Sequence, residues 1–291
     1  MQPFLFKRGF YMEPKVMKVS FIGYSSALVS IATFFRNKKF DVLGLYDKDY
    51  MKLIDIGIKH NFKVKLDLEK MIYESDIIFI CDKEENLKNI SYELSKYDLS
   101  EKIMCVVSKY HTSDEFDMFD TAVTFLPIKD FIEGETTDIE NAKIIVEGCG
   151  KRADFFMQEL KFMKINFEEV DKNKKMAYLF SLEYSTEFLD AFISSIKDFL
   201  ENAKIYDKSY LEGLIFDNVK NYYKSPKDIS YFEKPILTKN EDQISSHFEI
   251  IEKYGDSNLK ALYKVIAFNL IEHTDYSKSE KDRIRRIIYN K

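Results

Sequence analysis

The stretch that decides the fold is residues 15–49, KVMKVSFIGYSSALVSIATFFRNKKFDVLGLYDKD. Its β-branched and aromatic run ends at Ile22, and Gly23 follows as a turn residue. Apolar residues then recur at helical spacing, at Leu28, Ile31, Ala32 and Phe35. A second apolar run covers residues 42–45, and Asp47 follows it. The stretch predicts a strand, a tight turn, a helix and a second strand, which is the order of a dinucleotide-binding βαβ unit.

The turn keeps only part of the glycine pattern of such a unit. The pattern is G-x-G-x-x-G, and residues 23–28 read GYSSAL. The second glycine normally lets the backbone approach a pyrophosphate, and the third lets the helix pack closely on the strand. Ser25 stands at the second position, where its hydroxyl can donate a hydrogen bond, and Leu28 stands at the third. Two hypotheses stay open: the turn holds no nucleotide, or it binds one through Gly23, Tyr24, Ser25 and Ser26.

An acidic residue follows the second strand. Asp47 stands at roughly the 20-residue distance from the glycine turn at which a carboxylate bonds the ribose 2′-hydroxyl of NAD. Its negative charge would repel a 2′-phosphate, so it favours NAD over NADP as the form of an NAD(P) cofactor. The neighbouring Lys48 weakens that preference and is itself a candidate cofactor contact. The alternative is that Asp47 is a simple turn residue at the end of a strand.

Composition and charge exclude several classes of protein. The chain has 291 residues with 25 Phe and 19 Tyr, which suits two domains or one large one. The net charge is −5 and no long basic block occurs, which argues against nucleic acid or a membrane surface as the partner. No apolar run reaches transmembrane length. The first dozen residues are expected to form a loose extension before the first strand.

The cysteines and histidines indicate neither disulfides nor a metal site. Cys81, Cys105 and Cys149 are far apart and odd in number, as reduced thiols of a cytosolic protein would be. No CxxC or HxxxH spacing occurs, and the four histidines are scattered. We therefore expect a cytoplasmic protein without a metal.

Strands and helices alternate up to residue 170. Further strands are predicted at residues 62–64, 76–80, 103–107, 121–125, 143–146 and 165–170. The intervening helices are predicted at residues 51–60, 66–73 and 151–163, and one more is opened by residues 81–86 and runs to about residue 95. This alternation is typical of an α/β fold with a mostly parallel, Rossmann-like sheet.

Polar residues follow two of these strands. In Rossmann sheets the loops at the carboxyl ends of the strands face the ligand. Asp82 and Lys83 follow the 76–80 strand, and Ser108 follows the 103–107 strand, so all three are candidate cofactor contacts. The alternative for Asp82 and Lys83 is a solvated helix start, since the next residues are glutamates that the helix dipole favours.

From residue 171 the pattern changes to helices alone. Residues 174–200 contain no Pro or Gly and are apolar on most sides, so this helix must be buried in a bundle or against a second subunit. More helices are predicted at residues 208–223, 241–254, 257–273 and 277–289. We predict a sheet domain at residues 1–170, a helical domain at residues 171–291, and a homodimer formed through the helix from Lys174 to Leu200.

A series of short motifs stands in a recognisable order along nearly the whole chain. These are Val19–Leu28, Ser75–Phe79, Leu126–Phe131, Val146–Gly148, Lys175–Tyr178, Pro235–Ile236 and His247. Their order resembles that of Rossmann-like proteins with a C-terminal DUF2520 domain. These proteins are relatives of the F420-dependent NADP oxidoreductases and, more distantly, of 6-phosphogluconate dehydrogenase-type enzymes. The resemblance implies an NAD(P)-binding domain followed by an all-α, 6-phosphogluconate dehydrogenase C-terminal-like domain.

The chain departs from that family at several polar positions. The resemblance implies histidines where Leu126 and Leu179 stand, an asparagine at Glu187 and an arginine at Thr238. A carbonyl or imine reductase needs a proton donor near the hydride acceptor, and leucine cannot serve. The replacements that the sequence offers as catalytic residues are Glu187, Tyr178 and Lys175.

Each of these three residues has a structural alternative. Tyr178 could serve in helix packing and Lys175 could lie at a solvated helix end. Glu187 on an apolar helix would be a costly buried carboxylate, either satisfied by a partner or functional. The sequence thus predicts an NAD(P)-dependent oxidoreductase acting on a small molecule. The alternative is a catalytically degenerate dimeric scaffold that binds a metabolite or a protein.

Overall fold

The computed structural model describes residues 16–132, 135–224 and 234–291. The chain divides into two compact units, Met1–Leu182, called here the sheet unit, and Glu183–Lys291, the helical unit. The sequence placed the boundary after residue 170, so the two divisions differ in where residues 171–182 belong. The predicted extension at residues 1–12 lies outside the described residues.

Within the described residues, the sheet unit forms one seven-stranded sheet. Its strands are β1 (Lys18–Ile22), β2 (Asp41–Tyr46), β3 (Ile77–Ile80), β4 (Ile103–Val106), β5 (Thr121–Pro127), β6 (Ile144–Gly150) and β7 (Phe167–Glu169). The spatial order is β2-β1-β3-β4-β5-β6-β7, and every pair is parallel except β5 with β6. The predicted mostly parallel α/β sheet is confirmed. The strand order reverses between β1 and β3, which is where open α/β sheets bind ligands.

Helices cover both faces of this sheet. They are α1 (Leu28–Asn37), α2 (Met51–His60), α3 (Leu68–Glu74), α4 (Glu84–Leu94), a 3₁₀ helix (Ser113–Phe116), α5 (Ala153–Phe162) and the first turns of α6 (Lys172–Asn202). Apolar residues of α1, α2 and α5 pack on one face, and those of α3, α4 and the 3₁₀ helix pack on the other. Alternate residues of β3 join the two cores, which confirms that this apolar run is a strand buried on both faces.

A group of aromatic rings fixes α1 on the sheet. The ring of Phe79 in β3 lies 5.1 Å from that of Phe21 in β1, 4.7 Å from that of Phe35 in α1 and 5.4 Å from that of Phe125 in β5, measured between centroids. All four side chains are fully buried. Since α1 carries the glycine turn at its start, these contacts also fix the position of that turn.

Two local predictions differ from the structure. Residues 62–64 do not form a strand; Val64 alone pairs with Leu45, as an isolated parallel bridge. The chain enters this segment from α2 through Asn61, whose left-handed conformation ends the helix. The pairing with β2 consists of the hydrogen bonds that Leu45 makes with Lys63 and Lys65. The 143–146 strand is longer than predicted, runs to Gly150, and is antiparallel to β5.

The helical unit contains the rest of α6 and five further helices in the described residues. They are α7 (Tyr210–Lys224), α8 (Pro235–Thr238), α9 (Glu241–Tyr254), α10 (Ser257–Glu272) and α11 (Lys278–Tyr289). α8 to α11 share a buried core that includes Ile244, Phe248 and Ile271. The predicted helical C-terminal region is confirmed. Across the described residues, no helix combines the length and the hydropathy needed to span a bilayer.

The long helix α6 is not buried within the single chain. Phe180 and Phe188 leave 64% and 60% of their surfaces exposed, and the ring of Tyr184 stacks on that of Phe188 at 4.8 Å in the open. Of the two predicted kinds of burial, in a bundle or against a second subunit, the single chain does not cover these side chains with a bundle. Burial against a second subunit stays a prediction.

We predict that Phe79→Ala lowers the free energy of unfolding by about 3–5 kcal/mol, because it empties the centre of the aromatic core. The matched control is Phe162→Ala in α5, where the ring is 66% exposed and the change should stay within about 0.5 kcal/mol. Urea unfolding measures both. Equal losses at the two sites would contradict the role assigned to the core.

Candidate functional site

The turn after β1 requires glycine at its first position. Gly23 has a φ of +103°, and its N–H donates to the Tyr46 carbonyl at 2.8 Å. A Cβ at this position would lie 2.7 Å from the Cys81 carbonyl oxygen and 2.9 Å from Oδ2 of Asp82. The first glycine of the motif is therefore needed for both its conformation and its close approach to the end of β3.

The start of α1 has free hydrogen-bond donors. Its N-cap residue, Ala27, supplies no side-chain cap, and the first turn contains no acidic residue. In the described part of the chain, the N–H groups of Ser25, Ser26 and Ala27 donate to no acceptor. An uncapped helix start with aligned N–H groups is a favourable place for an anion.

The Ser25 side chain adds a further donor. Its Oγ is buried and finds no hydrogen-bond partner among the described residues. It lies at a cavity of about 180 Å³, which is lined by Tyr24, Ser25, Ser26, Val29, Asp55, Ile56, Lys59, His60 and Glu135. A buried hydroxyl without a partner is costly unless a ligand satisfies it. Leu28, which stands at the third glycine position, is fully buried in the core and leaves this cavity open.

Asp82 occupies the other side of the same turn. Its Oδ2 accepts the N–H of Tyr24 at 2.9 Å, and its Oδ1 accepts the N–H of Lys83 at 2.8 Å and the side-chain amide of Asn86 at 2.7 Å. The carboxylate thus ties the turn after β1 to the start of α4. It also takes one N–H that a phosphate would otherwise use. The residues at 25–27 still fit a diphosphate, with fewer donors than the full glycine motif provides.

Asp47 and Lys48 lie at the end of β2, next to this turn. Oδ1 of Asp47 accepts the N–H of Asp49 at 2.8 Å, as expected of a turn residue at the end of a strand. Its Oδ2 accepts no hydrogen bond from the described residues, so this oxygen could bind a ligand. Lys48 lies 4.0 Å from Glu93, measured from Nζ to Oε2. Its charge is therefore already partly matched.

The loop after β4 is held by a glutamate from the start of α4. The buried Ser108 donates through Oγ to Glu84 Oε2 at 2.7 Å and accepts the N–H of His111 at 2.8 Å. The N–H of Lys109 donates to the other oxygen of Glu84 at 2.5 Å. Ser108, predicted as a cofactor contact, thus positions the loop that leads to His111.

Lys175 is fully buried, so the alternative of a solvated helix end is wrong for this residue. Its Nζ donates to the carbonyl oxygen of His111. Burial lowers the pKa of its amino group to about 8, and the nearby carboxylates of Glu147, Glu84 and Glu115 oppose that effect. Lys175 therefore contacts the loop after β4 rather than solvent.

Glu147 is a buried carboxylate in β6 that the sequence analysis did not single out. It accepts the N–H and Oγ of Ser113 at 2.8 and 2.6 Å and the Oγ of Thr124 at 3.1 Å. An acidic residue inside an apolar strand was the available signal. Its negative charge lies close enough to Lys175 to favour the charged form of that buried amino group.

Tyr178 and Glu187 differ in their surroundings. The Tyr178 hydroxyl donates to Glu168 Oε2 at 2.7 Å, and Lys143 pairs with the same carboxylate at 2.7 Å. That hydrogen bond and partial burial raise the pKa of Tyr178, whose ring packs against the buried Leu126.

Glu187 is exposed in the single chain, so the expected burial is absent there. Glu187 belongs to the helical unit, whereas Lys175 and Tyr178 belong to the sheet unit.

A histidine that the sequence analysis passed over, His111, contacts Lys175 and the loop after β4. His111 Nδ1 is 3.1 Å from Glu115 Oε2, and its Nε2 is 3.9 Å from Glu84 Oε2. The i, i+4 spacing of His111 and Glu115 after a buried strand was the signal that could have revealed the pair. Burial raises the pKa of Glu115, but hydrogen bonds from Lys88, the Thr112 N–H and His111 outweigh it and lower that pKa to about 2.

Among the described residues, no group of three or more potential ligands is placed to hold a metal ion.

Solved structures of reductases share this fold over most of their length. A candidate NADP oxidoreductase of Bacteroides fragilis matches with a TM-score of 0.65 at 12% identity, covering 88% of this chain and 98% of the other. An imine reductase of Aspergillus terreus in complex with NADPH4 matches at 0.60 and 10% identity, over 91% and 98%. An imine reductase variant of Myxococcus stipitatus in complex with NAD+ matches at 0.57 and 11% identity, over 92% and 98%.

No protein-family model matches the sequence, and no curated protein matches it. At identities of 10–12% the structural likeness establishes the fold alone. The chain therefore has a Rossmann-like sheet with a helical C-terminal region, as those reductases have. The resemblance to the DUF2520 proteins stays a prediction.

We predict that Glu115→Gln destabilises the protein near pH 7 by about 1–3 kcal/mol, because hydrogen bonds to a charged group are lost. The pKa of Glu115 is about 2 in the folded protein and ~4.3 in an unfolded chain. The stabilisation is therefore fully present above the unfolded pKa and is lost as the pH falls through the folded one.

Urea unfolding of both proteins from about pH 7 down to about pH 4 measures this difference, which should shrink with falling pH. Glu249→Gln, at an exposed position in α9, is the control and should show a small difference at every pH. A difference for Glu115→Gln that grows on acidification would contradict the assigned hydrogen bonds.

Proposed function

We propose that the chain is an NAD(P)-dependent oxidoreductase with a small-molecule substrate. The observation that carries this proposal is the uncapped start of α1 at the switch point of the sheet. There the N–H groups of residues 25–27 and the Ser25 hydroxyl remain free within the described part of the chain. Support also comes from the imine reductases of similar fold, which were solved in complex with NADPH4 and NAD+.

The diphosphate of the cofactor would be held by the donors of residues 25–27, with the positive end of the α1 dipole behind them. Gly23 allows the turn, and Tyr24 and Ser26 line the same cavity. Asp82 and Lys83 flank the turn from the start of α4. When bound, the reduced nicotinamide supplies a hydride, and the protein supplies orientation and a proton donor.

Asp47 makes NAD(H) the preferred form of the cofactor in this proposal. Its second carboxylate oxygen, which accepts no hydrogen bond from the described residues, can accept a ribose hydroxyl, and its charge would repel a 2′-phosphate. The interaction of Lys48 with Glu93 supports the preference, because the cation next to Asp47 lies 4.0 Å from another carboxylate.

A catalytically degenerate binding scaffold is the second candidate function. The Asp82 carboxylate favours it, since a negative charge bonded to the Tyr24 N–H opposes a diphosphate at the same turn. The burial of Leu126 and Leu179, where the family resemblance implies histidines, points the same way. Cofactor binding separates the two functions.

In both cases we propose a homodimer formed through the helix from Lys174 to Leu200. Large apolar side chains lie exposed along α6 and α7 in the single chain, among them Phe180, Tyr184, Phe188, Phe216, Tyr222 and Tyr223. So many exposed aromatic residues on neighbouring stretches of chain are typical of a surface that another protein covers.

We predict that the wild-type protein binds NADH in the micromolar range and more tightly than NADPH, as measured by titration calorimetry. Ser25→Asp should weaken NADH binding at least about tenfold, because it adds a carboxylate to the diphosphate position. The matched control is Ser279→Asp at the exposed first turn of α11, which should leave the affinity unchanged.

Asp82→Asn should strengthen NADH binding, since it removes the opposing charge and keeps a side-chain oxygen for the Tyr24 N–H. A folded wild-type protein that shows no saturable binding of NADH or NADPH would favour the scaffold function instead.

We predict that light scattering gives twice the 34.5 kDa chain mass for the wild type. Phe188→Glu should give the single-chain mass, because a charge cannot be buried in an apolar interface without a partner. Tyr73→Glu, at a position 84% exposed in the sheet unit, is the control and should stay dimeric. A wild type with the single-chain mass would refute the dimer.

A further inference from the structure

His111 is held at the carboxyl edge of the sheet by contacts from three elements. Its Nδ1 lies 3.1 Å from the Glu115 carboxylate at the 3₁₀ helix, and its ring meets that of Phe116 edge-on at 5.7 Å between centroids. Its N–H and its carbonyl oxygen are bonded to Ser108 and to the buried Lys175. The orientation of this imidazole is therefore fixed from several directions.

The contact with Glu115 also decides which ring nitrogen carries the proton. Glu115 is ionised at neutral pH, so it accepts Nδ1–H from the imidazole. The other nitrogen, Nε2, lies 3.9 Å from Glu84 Oε2, which is too far for a hydrogen bond. The side chain keeps 18% of its surface exposed. Among the described residues, Nε2 has no hydrogen-bond partner, so it is the ring nitrogen left to meet a bound molecule.

The position of His111 along the sheet edge matches the redox half of a dinucleotide. The diphosphate position lies at the end of β1, and the ribose of the adenosine half lies toward β2, where Asp47 stands. A dinucleotide spans the switch point, so its second half extends over the ends of β3 and β4. His111 follows β4, and a chain of contacts through Asp82, Glu84 and Ser108 links it to the glycine turn.

We propose that His111, oriented by Glu115, is the residue that transfers a proton to the substrate in the oxidoreductase reaction. This inference rests on the proposed function. The substrate class that it implies has a C=N or C=O bond as hydride acceptor, because a proton donor is required only where a heteroatom gains negative charge. His111 then supplies the donor that Leu126 and Leu179 cannot.

A reduced nicotinamide, when bound, would supply the hydride to the acceptor carbon and would itself be oxidised by two electrons. The π electrons of the C=N or C=O bond would then move to the heteroatom, and that heteroatom would take the proton from Nε2 of His111. The imidazole would be left neutral with its proton on Nδ1, and solvent would return a proton to Nε2. Glu115, Lys175 and Ser108 act as positioning residues, since they contact His111 rather than the substrate.

The first test measures where His111 lies relative to the cofactor, by its modification with diethyl pyrocarbonate followed by mass spectrometry. NADH at about ten times its dissociation constant should slow the modification of His111 about tenfold, since only free protein then reacts. ADP-ribose, which has the same diphosphate and adenosine but no nicotinamide, should bind without protecting His111. The exposed His273 serves as the internal control and should react at one rate throughout.

The outcomes of this test are distinct. Binding of NADH without protection of His111, or equal protection by ADP-ribose, would overturn the inference and leave the proposed function intact. Failure of NADH to bind at all would overturn the proposed function, and this inference with it.

The second test reads the tautomer by ¹⁵N NMR of histidine-labelled protein, with His111→Asn to assign the signal. The neutral wild-type ring should show its proton on Nδ1, and Glu115→Gln should abolish that preference. His111→Asn should bind NADH within about twofold of wild type, because the backbone contacts of this residue remain. It should also lose about 10²–10⁴-fold in turnover of any C=N or C=O compound that the wild type reduces. A wild-type proton on Nε2, or unchanged turnover in His111→Asn, would refute the proposal.

Discussion

The free N–H groups at the start of α1 are the constraint on which the account of this protein depends. A helix start leaves backbone donors that must find side chains, water or a ligand. Here Ala27 offers no cap, and the buried Ser25 hydroxyl adds one more donor without a partner among the described residues. The aromatic core around Phe79 holds α1 in place, so these donors have a fixed direction at the point where the strand order reverses.

Two carboxylates organise the rest of the edge. Asp82 ties the glycine turn to α4, and Glu84, two residues later, ties α4 to the loop after β4. The first opposes an anion at the turn, whereas the second, with Glu115, places a histidine where a redox partner would lie. In the proposed function, the same edge combines a diphosphate position that one carboxylate opposes with a histidine held in a fixed orientation.

Much of the fold was predictable because it is local. The apolar run at β3, the glycine after β1 and the helical spacing in α1 each depend on a few neighbouring residues. The direction of β6 was not predictable, since it depends on pairing with β5 over a whole strand. The burial of Lys175 was equally hidden, because its partner His111 lies 64 residues earlier in the chain. The exposure of Glu187 could not be foreseen either, since sequence pattern does not say which apolar helix faces remain uncovered.

A crystal structure of the protein with bound NADH would show whether the start of α1 holds the diphosphate. Its diphosphate oxygens should lie within hydrogen-bond distance, about 2.7–3.2 Å, of the N–H groups of Ser25, Ser26 and Ala27 and of the Ser25 hydroxyl. A cofactor bound elsewhere, or side chains that fill the space in front of α1 with no ligand present, would contradict it.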